Sequence, residues 1–215
     1  MRKLAEYKTI AFDCDGIILN SNVIKTSAFY AAGIIYGEEK AQKLVKYHKE
    51  NGGISRFRKF RWFCENIVAD ADESTLDTLL KIYAKAVYDG LMSCEIVEGL
   101  SELRSATLKS GWLTVSGGAQ DELRDIFSKR NLANYFDKGV YGSPDTKVEI
   151  FKKQIAINNI EFPALFIGDS KYDFISSSKA GLDFVFMTYW TEVKDWCKFC
   201  RENCISYRDS LQSLL

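Results

Sequence analysis

The chain has 215 residues, 47% hydrophobic and 27% charged, a composition typical of a globular protein and too apolar for a disordered one. Basic and acidic residues both number 29, so no overall field attracts nucleic acid or anionic lipid. The first ten residues lack the apolar stretch of a signal peptide, and no run reaches the ~18 apolar residues of a membrane span. Six cysteines in this context indicate reduced thiols, so we expect a cytoplasmic protein without a nucleic-acid or membrane partner.

A buried strand is predicted at residues 7–13, where a short apolar run ends in the turn sequence "DCDG". Between about residues 22 and 90 no other convincing strand follows, only segments with helical periodicity such as "ESTLDTLLKIYAKAVYDG". The pattern then changes to short apolar strands separated by helical segments. The strands are predicted at 111–116, 137–143, 163–170 and 182–189, and the helices at 98–110, 119–131, 145–158 and 171–181.

This order of elements predicts an α/β fold. Strands that alternate with helices imply right-handed crossovers and a parallel sheet. We predict a Rossmann-like core domain formed by residues 1–20 and 95–215, with a helical cap domain, residues 21–94, inserted after the first strand. Because such sheets place their chemistry at the carboxyl ends of the strands, the residues directly after each strand are the candidates for a site.

Two carboxylates, Asp13 and Asp15, follow the first predicted strand. Neighbouring like charges cannot both be ionised at low cost unless a cation lies between them or one takes a proton. Both solutions suit phosphoryl transfer, in which one carboxylate attacks phosphorus, the other carries a proton and a divalent metal neutralises charge. The four-residue pattern taken alone fits a solvated turn equally well.

Four more candidates follow later strands. Ser116, at a strand-to-helix turn, could bind a phosphate oxygen or simply cap a helix. Lys147 lies early in a predicted helix, where a cation opposes the helix dipole unless anions lie nearby; alone it would be an ordinary surface lysine. Asp169 and Asp173 are four residues apart at a helix start and can point the same way. Asp169 would then suit an oxygen-rich Mg²⁺ site, with Asp173 accepting from Lys147 or from metal-bound water.

Taken together, these elements resemble the four motifs of the haloacid dehalogenase superfamily of phosphotransferases. The motifs correspond to "DCDG", "TVSG", Lys147 after "GSP", and "GDSKYD". One subclass of this superfamily carries a helical cap directly after the first motif, in agreement with the predicted insertion.

The resemblance implies a role for each candidate. Asp13 would be the nucleophile and Asp15 the general acid and base. Mg²⁺ would be held by the side chains of Asp13 and Asp169 and by the backbone carbonyl of Asp15. The groups expected to bind the phosphoryl group are Ser116, Gly117 and Lys147, with Asp173 orienting Lys147 or the water shell of the metal.

The resemblance also suggests a substrate class. Haloacid dehalogenases proper lack a carboxylate at the position of Asp15, so this residue favours phosphate chemistry. The stretch "NGGISRFRKF" resembles the cap loop of β-phosphoglucomutase-like and phosphoglycolate phosphatase-like members, with Arg56 where a cap arginine contacts the substrate. Lys25 replaces a histidine of the mutase-like pattern, and Asn20-Ser21 replaces its Asp-Ser pair. We therefore expect a phosphatase, monomeric or homodimeric, acting on a small phosphorylated metabolite such as a sugar phosphate; a phosphomutase is the alternative.

Two other chemistries depend on residues of the predicted cap. Phosphonate hydrolysis would need a desolvated cap lysine that forms a Schiff base, and nothing in the sequence marks Lys25, Lys46 or Lys59 as one. The single histidine, His48, lies in an amphipathic helix and is expected at the surface, which argues against a catalytic triad. The aromatic and basic stretch "RFRKFRWF" is expected to pack inward rather than bind nucleic acid.

Closely spaced cysteines near the C-terminus could indicate a metal site. The spacing of Cys197, Cys200 and Cys204 predicts instead one face of a helix, on which cysteine acts as a small apolar residue. A non-catalytic binding protein on the same scaffold is a further alternative, against which the four intact carboxylates argue.

Overall fold

The computed structural model describes residues 2–215. Its strands are β1 (Thr9–Phe12), β2 (Gly111–Ala119), β3 (Val140–Ser143), β4 (Ala164–Gly168), β5 (Asp183–Met187) and β6 (Ser206–Arg208). Within the described residues, the α-helices before β2 are α1 (Asn22–Gly33), α2 (Glu38–Glu50), α3 (Arg56–Asn66), α4 (Glu73–Ser93) and α5 (Leu100–Ala106). Those after β2 are α6 (Gln120–Lys129), α7 (Lys147–Ala156), α8 (Lys171–Ala180) and α9 (Trp196–Glu202).

The strands form one parallel sheet in the order β3-β2-β1-β4-β5-β6, which confirms the predicted α/β fold. Strand β1 lies inside the sheet, with Ala11 opposite Leu113 of β2 and Phe166 of β4. All four residues of β1 are buried, as expected for a parallel sheet covered by helices on both faces. The three-residue strand β6 at the sheet edge was not predicted, because its residues show no apolar pattern.

Helices α1–α4 form the segment between β1 and α5, and we refer to them as the inserted helices. They share an aromatic cluster in which the ring of Phe29 lies 5.1 Å from that of Phe60 and 4.5 Å from that of Tyr83. Helix α3 turns one face inward, because Arg56, Lys59, Phe60 and Phe63 recur at helical spacing and are all buried.

The chain leaves the sheet for the inserted helices, and returns from them, through two segments that pair with each other. Leu19 and Ile96 form an antiparallel bridge. The N–H of Asn20 donates to the carbonyl of Glu95 at 3.0 Å, and the N–H of Val97 donates to that of Ile18 at 3.0 Å. The inserted helices are therefore joined to the sheet by a two-stranded connection rather than by two independent linkers.

No helix within residues 2–215 is long and apolar enough to cross a membrane.

Candidate active site

Asp13 lies at the carboxyl end of β1, near the centre of the sheet. Its N–H donates to the carbonyl of Ile167 at 2.9 Å and so continues the pairing of β1 with β4. Its buried carboxylate accepts from the N–H of Cys14 at 2.8 Å and lies 2.8 Å from Nζ of Lys147. The sheet therefore fixes the backbone of Asp13, and two donors orient its carboxylate.

Three buried carboxylates meet at this edge of the sheet. One oxygen of each of Asp13, Asp169 and Asp173 lies within 4.8 Å of the others. Burial, only partly offset by Lys147, raises the pKa of Asp13 to about 7, and burial next to Asp173 and Asp13 raises the pKa of Asp169 well above its usual value. A cation beside these oxygens would relieve both the burial and the repulsion. An all-oxygen set of this kind suits Mg²⁺, so the residues fit the predicted metal.

Lys147 joins two of these carboxylates. Its Nζ lies 2.8 Å from Asp13 Oδ1 and 2.5 Å from Asp173 Oδ1, and its side chain is fully buried. Burial alone would lower the pKa of Lys147, but the two carboxylates outweigh it and raise that pKa above the ordinary value. Lys147 therefore remains a buried cation, and the predicted surface-lysine alternative is wrong.

Asp173 also takes part in the cap at the start of α8. Its carboxylate accepts from the hydroxyl of Ser170 at 2.7 Å and from the N–H groups of Asp169 and Ser170 at 3.2 and 3.1 Å. Ser170 in turn accepts from the N–H of Asp173, which completes a capping box. The helix cap thus fixes the carboxylate that faces Lys147.

The side chain of Asp15 is held apart from this cluster. It forms a buried ion pair with Lys25 of α1 and accepts from the hydroxyls of Ser21, at 2.6 Å, and Ser116, at 3.4 Å. Burial alone would raise the pKa of Asp15, but the charge and hydrogen bond of Lys25 outweigh it and hold that pKa below its usual value. The sequence indicated Lys25 as a departure from the mutase-like pattern and as a cap lysine without a sign of desolvation; in the structure it is the partner of Asp15.

Two glycines are required by close approaches around the site. A Cβ on Gly16, whose φ is +76°, would lie 2.1 Å from Oδ2 of Asp169. A Cβ on Gly117 would lie 2.5 Å from the carbonyl oxygen of Gly53, in the loop between α2 and α3. Only glycine at position 117 therefore allows this loop to rest on β2.

Arg56 lies at the start of α3 and connects the inserted helices to the rest of the protein. Its guanidinium forms a buried, two-pronged pair with the carboxylate of Glu122 on α6 and lies 4.5 Å from the centroid of the Tyr83 ring. The predicted substrate-binding arginine thus faces the site, but in this structure its guanidinium is paired with a carboxylate of the protein, that of Glu122.

Five of the candidate residues, Asp13, Asp15, Arg56, Gly117 and Asp169, line a cavity of about 70 Å³ between the sheet edge and the inserted helices. Its charged lining residues include Asp13, Asp15 and Asp169 from the sheet side and Lys25, Arg56 and Lys59 from the inserted helices. Typical ligand pockets have at least ~300 Å³. We call this arrangement of the inserted helices closed, because the cavity is smaller than a typical ligand pocket.

One prediction about this region is wrong, and the burial of one lysine was not predicted. His48 is not a surface residue: it is 7% exposed, its Nδ1 lies 2.8 Å from Nζ of Lys59, and its ring lies 4.4 Å from that of Phe29. Lys59, in which the sequence showed no sign of desolvation, is 2% exposed. Burial, followed by the nearby charge of Lys25, lowers the pKa of Lys59 to about 7. The signal was available in the spacing of Lys59 three residues after Arg56, on the apolar face of α3.

Asn22 was not among the predicted site residues. Its Nδ2 donates to Asp169 Oδ2 at 3.0 Å and to the carbonyl of Trp190 at 2.9 Å, so the first residue of α1 contacts the carboxylate cluster. A lone polar residue at the start of a helix carries no pattern that would identify such a contact.

The C-terminal cysteines do not share one helix face. Cys200 is buried on α9 and Cys197 is exposed, whereas Cys204 lies after the helix with a φ of +53°. Within residues 2–215, the only group of three or more His, Cys, Asp or Glu side chains close enough to share a metal is the Asp13 cluster. The structure thus gives no support to a cysteine metal site.

Comparison with known proteins agrees with this geometry. Among curated proteins no sequence matches the chain. A predicted phosphatase from Clostridium acetobutylicum superposes with a TM-score of 0.74 at 18% identity, over 97% of this chain and 96% of the other. A predicted phosphoglycolate phosphatase from Haemophilus somnus gives 0.73 at 17% identity, with the same coverage. CbbY from Rhodobacter sphaeroides, solved in complex with phosphate, gives 0.70 at 13% identity, again over 97% and 96%.

Such identities establish the shared fold. The family model described as haloacid dehalogenase-like hydrolase matches residues 10–187, which include every candidate residue of the site. This protein is therefore an enzyme that belongs to the haloacid dehalogenase-like hydrolase family.

Proposed function

We propose that this enzyme is a Mg²⁺-dependent phosphatase that hydrolyses a small phosphorylated metabolite, such as a sugar phosphate, through an aspartyl-phosphate. The observation that carries the proposal is the contact of Asp13 with Lys147 inside a cluster of three buried carboxylates, beneath a closed cavity. A nucleophilic carboxylate, a fixed cation for phosphoryl oxygens and an oxygen-rich cation site are the parts that this reaction needs.

The reaction would take place in two displacements. An oxygen of Asp13 attacks phosphorus, the bond from phosphorus to the leaving oxygen breaks, and Asp15 gives that oxygen a proton. Water then attacks the same phosphorus, Asp15 takes a proton from it, and the bond to Asp13 breaks to release phosphate. The contact with Lys25 favours the ionised form of Asp15, which is the form that accepts a proton from water.

Other residues of the chain would hold the phosphoryl group and the metal. Mg²⁺, when bound, would neutralise charge that develops on the phosphoryl oxygens. It would be held by the side chains of Asp13 and Asp169 and by the backbone carbonyl of Asp15. The phosphoryl group would be bound by Ser116, Gly117 and Lys147, with Arg56 next to the substrate and Asp173 holding Lys147 in place.

The inserted helices would act as a cap, and we assign residues 21–94 to it and residues 1–20 and 95–215 to the core. Closure of the cap excludes bulk water while phosphorus is transferred, and opening admits the water that completes hydrolysis. The small closed cavity and the pair between Arg56 and Glu122 support this motion. Because all six cysteines are free thiols, we also infer that the enzyme acts in the cytoplasm.

A phosphate-release screen over a panel of phosphomonoesters tests the proposal. We expect release that requires Mg²⁺ and stops with a chelator. Asp13→Asn should reduce it by at least about a thousandfold. Asp77→Asn, on the exposed face of α4, is the matched control and should behave like the wild type.

The same screen distinguishes the alternatives. Conversion of a sugar phosphate to its isomer without phosphate release would identify a phosphomutase. Undiminished release by Asp13→Asn would contradict the proposed nucleophile.

A further inference from the structure

Three buried cationic side chains from the inserted helices line the cavity, and two of them are already neutralised; a fourth lining cation, Lys49, is exposed to solvent. Lys25 is paired with Asp15, and Arg56 is paired with Glu122. The third, Lys59, forms no ion pair with any carboxylate of residues 2–215. Lys59 is thus the buried cation of the cavity that pairs directly with no carboxylate of the described residues.

The contacts of Lys59 are with neutral groups. Its Nζ lies 2.8 Å from Nδ1 of His48 and 3.4 Å from the carbonyl oxygen of His48, and 5.4 Å from the centroid of the Phe29 ring. Burial, and after it the charge of Lys59, lowers the pKa of His48 to about 2, so this imidazole is neutral. With Lys59 donating to Nδ1, Nε2 of His48 carries the hydrogen and donates to the hydroxyl of Thr26 at 3.1 Å.

The chain of hydrogen bonds continues to the other side of the cavity. The hydroxyl of Thr26 donates to Glu192, in the loop after β5, at 3.2 Å. Each link has one donor and one acceptor, and the carboxylate of Glu192 is reached only through His48 and Thr26, so the chain holds Lys59 in position without a direct ion pair. A buried amine next to a cavity, without an anionic partner, lowers the stability of the folded protein. An anion that enters the cavity would remove this cost.

We propose that Lys59 binds a second anionic group, a carboxylate or a phosphate, on the leaving group of the substrate. This role rests on the proposed phosphatase function, since it places the phosphoryl group at Asp13 and the second group under α3. The other buried cations of the cavity, Lys25 and Arg56, are engaged by Asp15 and Glu122, and Lys49 is exposed to solvent. Lys59 would therefore determine specificity: it selects phosphomonoesters with two negative groups over those with one.

Three esters that differ in the second group test this role. They are 2-phosphoglycolate, which carries a carboxylate, propane-1,3-diyl bisphosphate, which carries a phosphate, and 2-hydroxyethyl phosphate, which carries a neutral hydroxyl. In the wild type, kcat/KM for at least one of the two anionic esters should exceed that for the neutral ester by about ten- to a hundredfold. The arm that shows the preference identifies which anion Lys59 binds.

Lys59→Met keeps an unbranched side chain of similar length and removes the amine. The ratio of kcat/KM for the preferred anionic ester to that for the neutral ester should fall about tenfold or more, mainly through KM. Lys59→Arg, which restores a cation, should recover part of the ratio. Lys81→Met, on the exposed face of α4, is the control and should keep the wild-type ratio. Circular dichroism establishes that each variant is folded.

The outcomes separate the two proposals. Phosphate release without preference for either anionic ester, or an unchanged ratio in a folded Lys59→Met variant, would overturn the role of Lys59 alone. Absence of release from any phosphomonoester would overturn the phosphatase itself. Borohydride reduction with glycolaldehyde phosphate, followed by mass spectrometry, tests a covalent role. An adduct on Lys59 would show that its amine attacks carbonyl groups, and that result would replace anion binding.

Discussion

A substitution that removes the pair between Arg56 and Glu122 tests most directly whether the closed position of the inserted helices depends on this contact. Glu122→Gln keeps the size of the side chain and one acceptor oxygen but removes the negative charge. Because both side chains are largely buried, solvent screens the pair only weakly. We expect the substitution to favour opening of the inserted helices.

The magnitude follows from the kind of contact. A hydrogen bond to a charged group contributes about 1.5–3 kcal/mol to stability. Loss of about 2 kcal/mol from the closed position multiplies the opening equilibrium constant by roughly 30, and the range of 1.5–3 kcal/mol corresponds to about ten- to a hundred-and-fiftyfold. Amide hydrogen exchange measures this constant directly, because amides protected only by closure exchange in proportion to the open population. The segments to follow are 51–55 and 116–119, which meet at Gly53 and Gly117.

A matched control lies next to Glu122 on the same helix. Asp121 is exposed, so Asp121→Asn removes the same charge without touching Arg56, and its exchange rates should equal those of the wild type. Amides of β1 should not change in either variant, since they exchange only on global unfolding. If Glu122→Gln alters exchange at the two segments by less than about threefold, the pair does not hold the inserted helices closed.

Three further predictions concern the site. In Lys25→Met the lysine no longer offsets burial, so the pKa of Asp15 should rise. The acidic limb of the pH–rate profile for phosphate release should then shift to higher pH by at least about one unit. An acidic limb at the wild-type pH would contradict the assigned pair. Unfolded Lys59 keeps its proton up to about pH 10.5 and folded Lys59 only to about 7, so its presence makes stability rise with pH between those values. Urea titrations in phosphate-free buffer give the unfolding free energy of each protein, and the wild-type value minus the Lys59→Met value should increase by up to ~1.4 kcal/mol per pH unit. A difference that does not change with pH would show that the pKa of Lys59 is not lowered by folding. Gly117→Ala places a methyl group against the carbonyl of Gly53. We expect kcat/KM to fall by at least about tenfold, with a melting temperature within a few degrees of the wild type. An unchanged kcat/KM would show that activity does not require this contact between the loop and β2.

The fold was predictable because its strands carry strong local signals. Apolar runs such as residues 164–168 are buried on both faces and cannot be mistaken for surface segments. The order of strands and helices then leaves few topologies for a parallel sheet. Strand β6 was missed because an edge strand of three half-exposed residues is defined by pairing with β5, which no local pattern records.

The polar side chains of the inserted helices were harder to predict. The residues after the strands meet because parallel strands end at one edge, which any parallel sheet imposes. The burial of Lys59 could be read from its spacing on the inward face of α3, whereas the contacts of His48 and Asn22 depend on how the inserted helices pack against one another and on the sheet. His48 resembles a surface residue in an amphipathic helix, yet it is buried because α3 and α1 bring Lys59 and Thr26 to its two ring nitrogens. Such tertiary contacts leave no trace in the periodicity of a single helix.

The paired segments at Leu19 and Ile96 have a consequence for motion. A single flexible tether would let the inserted helices swivel about their own axis as well as swing. Two connecting segments that hydrogen-bond to each other resist twisting of the inserted helices and bend together as one unit. For the opening proposed above, this connection predicts motion along nearly one path, so that on closure Lys25 would return to Asp15 and Arg56 to Glu122.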